Sequence, residues 1–157
     1  LEALLQERHP EMSSRVGLAA ALAQGSASRA EELLADDDLN AARTELYQLL
    51  ESLVKQPPGE LLLWCEKWDK DRKMVRYLLE LTQLWFRDLL IWQTTGDSRQ
   101  LINQDQLSAL KTASSLAGLT AACRFAQDGL NQLERNVSPR LILEVCLLKS
   151  RQALTAK

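Results

Sequence analysis

Histidine occurs once in this chain of 157 residues, cysteine three times, proline four times and glycine six times. Each scarcity narrows what the protein can be. His9 has no second histidine, Cys-x-x-Cys pair or carboxylate cluster around it in sequence, so no metal site is expected. Cys65, Cys123 and Cys146 are odd in number, far apart and set in apolar helical patterns. They read as small core residues of a reduced, cytoplasmic protein, not as a disulfide frame. No apolar run approaches the ~18–20 uncharged residues of a membrane span, and no signal peptide is visible, so a soluble piece is expected. The triplet Asn136-Val137-Ser138 matches a glycosylation acceptor, but the cysteine usage argues against secretion. The chain opens on Leu1 and is read as a piece of a longer protein.

Charge of one sign is missing too. Nineteen basic residues face twenty-one acidic ones, and no stretch concentrates Lys and Arg. Direct nucleic-acid binding is therefore not indicated. In "CEKWDKDRK", 65–73, the signs alternate, which reads first as a solvated helix junction and second as a basic contact patch.

Sustained two-residue alternation is absent, while Leu, Ala, Gln, Glu, Lys and Arg dominate, so the fold class is all-α, a helical bundle. Breaks or caps are expected at Pro10, Gly25-Ser26, "ADDD" 35–38, "QPPG" 56–59, "TTGD" 94–97, Gly118 and "NVSP" 136–139. Between them Leu39, Ala42, Leu46, Leu49 and Leu53 form one apolar stripe, and Leu119, Ala122, Ala126, Leu130 and Leu133 another. In 72–93, Val75, Leu78, Leu79, Leu81, Trp85, Phe86, Leu89, Leu90 and Trp92 occupy most of the circumference, which predicts the central buried helix. Its polar strip, Arg76, Glu80, Gln83 and Arg87, is expected to reach solvent or a partner. Trp64, Trp68, Trp85 and Trp92 sit in apolar company at helical spacing, and core positions are expected for them before a ligand pocket.

Two charges stand in awkward places. Asp88 has Leu84, Trp85, Ile91 and Trp92 one turn away, so its carboxylate falls on the apolar side and needs a donor. Arg140 follows the N-cap Ser138 and Pro139, in the first turn of the last helix, where the helix dipole disfavours a cation. A pair between Asp88 and Arg140 would answer both needs. Pairing of Arg140 with Glu144 one turn on, or plain solvation, answers the second equally well.

The chemistry of catalysis is not visible. There is no phosphate-binding Gly-x-x-x-x-Gly-Lys-Ser/Thr loop, no Gly-x-Gly-x-x-Gly and no nucleophile beside a base. Asp36, Asp37 and Asp38 cluster where a helix begins and are read as caps. With no catalytic, cofactor-binding or metal residues to nominate, the residues point to a binding or assembly module.

Three stretches, "LLELTQLWFRDLLIWQTTG" at 78–96, "LINQDQL" at 101–107 and "LNQLERNVSPRLILEVCLL" at 130–148, resemble the collar domain of the delta prime subunits of bacterial DNA polymerase III. The resemblance covers most of 38–150. Upstream, "LAQGSASRAEELL", 22–34, is similar to the end of an AAA+ lid, where a Gly-Ser opens the helix carrying an ATP-contacting arginine. Here Ser28 stands at that position and Arg29 one residue later, about 100° further round the helix. The resemblance implies the last part of a lid over 1–37 and a helical collar over 38–157. It further implies a non-catalytic role in the clamp loader, without cofactor, joined through the collar to the tau or gamma and delta subunits. DNA and the sliding clamp would be reached only through that complex. Candidate contact residues are Arg76, Glu80, Gln83, Arg87, Glu144 and Arg151. The alternatives are the equivalent region of a tau or gamma subunit, or a helical adaptor unrelated to replication.

Overall fold

The computed structural model describes residues 1–111 and 114–156. The described residues form α1 (Glu2–Arg8), α2 (Ser13–Ala23), α3 (Ala27–Ala35), α4 (Asp37–Glu51), α5 (Pro58–Glu66), α6 (Arg72–Thr95), α7 (Leu107–Leu110), α8 (Leu116–Leu133) and α9 (Pro139–Thr155). Short 3-10 turns at Pro10–Met12, Leu53–Lys55, Ser98–Gln100 and Gln104–Gln106 connect them. The class is all-α, as the absence of strand alternation predicts.

Local chemistry explains most of the boundaries. The side chains of Ser26, Asp36, Asp71, Ser115 and Ser138 each accept a hydrogen bond from a backbone N–H in the first turn of the helix that follows. Each satisfies a donor that the helix itself leaves unpaired. Pro58 and Pro139 occupy early positions of α5 and α9, where a missing N–H costs nothing. Gly96 closes the 24-residue α6 in the left-handed region at φ 66°, a conformation that favours glycine. The junction between α5 and α6 exposes most of the charged residues of 66–73, as their alternating signs predict, while Cys65 is buried and Trp68 and Arg72 are half-buried.

Helices α6, α8 and α9 make the heart of the bundle. Gln83 meets Gln127 and Arg76 meets Glu134 across α6 and α8, so these two helices run antiparallel. α9 returns antiparallel to α8, with Ala153 beside Gly118 and Ile142 beside Gly129. α5 lies antiparallel on α9, because Arg140 reaches Glu66 and Arg151 reaches the carbonyl of Gln56. α4 packs on α6, and α2 packs on α3 and on the turn at Gln104–Gln106.

The central helix is the expected one. Val75, Leu78, Leu79, Leu81, Trp85, Phe86 and Leu89 are buried, while Leu90 and Trp92 are half-buried near its end. On α4, Leu39, Ala42, Leu46 and Leu49 are buried, and Leu53 is buried in the turn that follows. On α8, Leu119, Ala122, Ala126 and Leu133 are buried and Leu130 half-buried. Of the four tryptophans, Trp85 alone is fully core; Trp64, Trp68 and Trp92 are half-buried. An indole N–H prefers an edge where it can find an acceptor, and Trp64 Nε1 donates to Glu45 at 2.9 Å.

Gly118 departs from expectation. It does not break the chain but lies in the first turn of α8, its N–H donating to the capping Ser115, and a Cβ there would stand 2.7 Å from the carbonyl oxygen of Ala153. Glycine there permits close approach of two helices and not a turn.

Candidate assembly surface

The polar strip of α6 is largely engaged within the chain. Arg76 Nη2 pairs with Glu134 on α8 at 2.9 Å, and Gln83 Nε2 donates to Gln127 Oε1 at 2.7 Å. Glu80 accepts from Arg29 Nη2 of α3 at 3.1 Å. Arg87 Nη1 donates to Asp88 Oδ1 at 2.8 Å. The Glu80 side chain is only 15% exposed, and burial raises its pKa in spite of Arg29 and Arg76, which pull it down. The strip thus joins α6 to α3 and α8, and Arg76 and Arg87 keep partial exposure at its two ends.

Asp88 is fully buried, on the apolar side as its neighbours predict. Its donors are different from the expected one. Oδ2 accepts from the backbone N–H of Asn103 at 2.8 Å and from Asn103 Nδ2 at 2.9 Å; the N–H of Ile102 lies 3.0 Å from Oδ1. With Arg87, these contacts supply the charge-assisted hydrogen bonds a buried carboxylate requires. The network extends outward. Tyr47 donates its hydroxyl to Asn103 Oδ1, and Arg43 forms a two-pronged pair with Asp105 at 2.7 and 2.6 Å. The Arg43 guanidinium lies 4.6 Å from the centre of the Tyr47 ring. Together these contacts tie the segment 102–105 to α6 and α4.

The expected Asp88–Arg140 pair does not form. Arg72, at the start of α6, donates to the carbonyls of Leu133 and Val137, just before α9. The first turns of α6 and α9 are therefore level. Asp88 lies sixteen residues further along α6, about 24 Å at 1.5 Å per residue. Arg140 instead donates to Glu144 at 2.6 Å, one turn on, and to Glu66 at the end of α5 at 3.3 Å. Glu144 is the main cause of the raised Arg140 pKa. The two carboxylates offset the unfavourable dipole at the start of α9.

No sequence pattern marks Arg43, Tyr47, Asn103 or Asp105 as a network. Asn103 and Asp105 stand in the unbroken polar run Asn103–Gln106 of "LINQDQL", where no pattern singles them out from Gln104 and Gln106. Nothing in the spacing says that they meet α4, about sixty residues earlier.

Among the described residues, large apolar side chains stay exposed on α5 and α9, and also at Leu1, Leu4, Val54 and Leu116. Leu63 is 64% exposed on α5, and Leu141 and Val145, one turn apart on α9, are 51% and 36% exposed. The pair Arg140–Glu66 and the bond from Arg151 to the Gln56 carbonyl clamp the two helices together. Glu144 turns inward, with 14% of its side chain exposed. Large exposed side chains on adjacent helices are the usual mark of a contact surface. Among the described residues no group of three or more His, Cys, Asp or Glu side chains is placed to hold a metal ion. No described helix is long and apolar enough to cross a membrane.

Comparison with known proteins gives one family. The sequence model described as "DNA polymerase III, delta subunit, C terminal" matches residues 37–152, from the first residue of α4 to the last turn of α9. No curated protein and no solved structure matches. The match covers most of the chain, and this protein belongs to the family of DNA polymerase III delta-subunit carboxy-terminal domains, its helices α4 to α9 forming a clamp-loader-related helical domain.

Proposed function

We propose that this chain is a non-catalytic assembly module of the DNA polymerase III clamp loader, of the delta prime type. In this reading α4 to α9 join the helical collar formed with the tau or gamma and delta subunits, in the cytoplasm, and α1 to α3 are the end of an AAA+ lid. The family match over 37–152 carries the reading. The exposed Leu63, Leu141 and Val145 support it, because a collar joins its members through helix faces.

The delta prime assignment rests on α3. Ser28 stands where the lid helix of an active loader ATPase would carry its ATP-contacting arginine. Arg29, one position later, is turned to Glu80 on α6 and serves as a tie between α3 and the bundle. Serine at this position argues against an active loader ATPase of the tau or gamma type.

Size-exclusion chromatography with light scattering tests this directly. The chain is mixed with the carboxy-terminal helical domains of tau and delta from the same organism, and a stable mixed complex is expected. Leu141→Asp, at an exposed position, is expected to weaken that complex while leaving helical content unchanged. Failure of both this chain and its full-length parent to associate with any loader subunit would overturn the reading. Calorimetry with magnesium, zinc and ATP is expected to give no binding heat; heat with ATP would refute the non-catalytic assignment.

A further inference from the structure

The first helix is held by little apolar contact. Leu5 is the one buried residue of α1. The helix is tied down instead at its end, where Arg8 Nη1 lies 3.2 Å and His9 Nε2 2.5 Å from the carboxylate of Glu31 on α3. The second ring nitrogen of His9, Nδ1, faces Glu11 in the following turn at 3.5 Å. A neutral imidazole has a hydrogen on one nitrogen and a lone pair on the other. With a carboxylate before each nitrogen, the neutral ring would set its lone pair against a carboxylate oxygen whichever tautomer it adopts. The imidazolium donates to Glu31 and sets its positive charge toward Glu11, and so suits both contacts.

We propose that His9 is a proton-operated latch that fastens α1 to α3 when its ring is charged and releases the end of α1 when it is neutral. The charged groups around the ring are Glu31 from α3, Glu11 from the turn and Arg8 from α1, which shares Glu31. Arg15 of α2 is turned elsewhere, to Asn40 and the Leu34 carbonyl. The hydrogen bond to Glu31 is the main cause that raises the His9 pKa above its ordinary 6.5, and desolvation opposes it. The same bond lowers the pKa of Glu31. The direction of the linkage follows. A histidine whose pKa is raised on docking favours docking fully below 6.5, and this contribution is lost as the pH rises through the raised value. Each unit by which the docked pKa exceeds the free one corresponds to a tenfold weakening of docking across that window. Residues 8, 9, 11 and 31 all precede the family match at 37, so the latch stands apart from the assembly role.

His9 is the single histidine of the sequence, which makes its ring resonances unambiguous by NMR. The test follows those resonances with pH together with hydrogen exchange of the α1 amides, the His9 N–H bonded to the Leu5 carbonyl among them. Amides of α6 serve as an internal reference for intrinsic exchange and for global folding. His9 is expected to titrate above 6.5, and α1 protection relative to α6 to fall over the same pH range. Glu31→Gln is expected to bring the titration back toward 6.5. His9→Gln, permanently neutral, is expected to show low α1 protection at every pH with α6 unchanged. Titration at the ordinary value, α1 protection that ignores the His9 titration, or wild-type pH dependence in His9→Gln would each overturn the latch.

Discussion

Replacing Asp88 by leucine removes the acceptor from the buried network between α6 and the segment 102–105. Three N–H groups lose their partner: the backbone donors of Ile102 and Asn103 and the side-chain amide of Asn103. Arg87 loses its carboxylate as well, but with 39% of its side chain exposed it can turn to water. Hydrogen bonds to a charged group contribute about 1.5–3 kcal/mol each, and a buried donor left unpaired costs about 1–3 kcal/mol. These terms are not additive, and disruption of a buried pair costs about 3–5 kcal/mol in total. The expected loss for Asp88→Leu is therefore about 3–5 kcal/mol, or a fall in Tm on the order of 6–20 °C for a domain of this size. Asp88→Asn keeps one acceptor oxygen for the two Asn103 donors but turns an NH2 toward Arg87 and Ile102, so about 2 kcal/mol is expected. Urea unfolding followed by circular dichroism gives both values, and hydrogen exchange at Ile102 and Asn103 localises the effect. A loss below about 1 kcal/mol for Asp88→Leu, with those amides still protected, would refute the assignment of Asp88 as the anchor of this segment. The double change with Arg140→Met is expected to be additive, since the residues stand about 24 Å apart along the bundle.

Gly118→Ala puts a methyl group 2.7 Å from the carbonyl oxygen of Ala153, and backbone cannot move as a side chain does; thermal unfolding is expected to show a loss of about 1–3 kcal/mol. Arg29→Met leaves the half-buried Glu80 without its main partner, whereas Glu80→Gln removes a carboxylate whose charged form burial already disfavours; denaturant unfolding should show the arginine change as the more damaging, with Glu80→Gln within about 1 kcal/mol of the parent. Burial pushes the thiols of Cys65 and Cys146 up to about 12, while Cys123 is half-buried. A thiol reagent at pH 8 is therefore expected to modify Cys123 first and the other two only on unfolding, as peptide mapping can read.

The sequence by itself determined the helices and what ends them. Ser26, Asp36 and Ser138 cap, Pro58 and Pro139 begin and Gly96 closes, because each acts through backbone groups within a few residues. Periodicity likewise placed 72–93 at the centre and Asp88 on its buried side, since one turn of helix decides which side chains share a face. Only the tertiary structure decided the partners. Asp88 takes its donors from residues 102 and 103 and not from Arg140, and Arg29 takes Glu80, fifty-one positions later. Gly118 reads locally as a break, and the crossing of α8 with α9 makes it a point of close approach. The polar strip Arg76, Glu80, Gln83 and Arg87 reads as facing solvent or a partner, and only the packing shows that α3 and α8 of the same chain take most of it. Which charge meets which depends on how far one helix has slid along another, a length of many ångströms that no local pattern encodes.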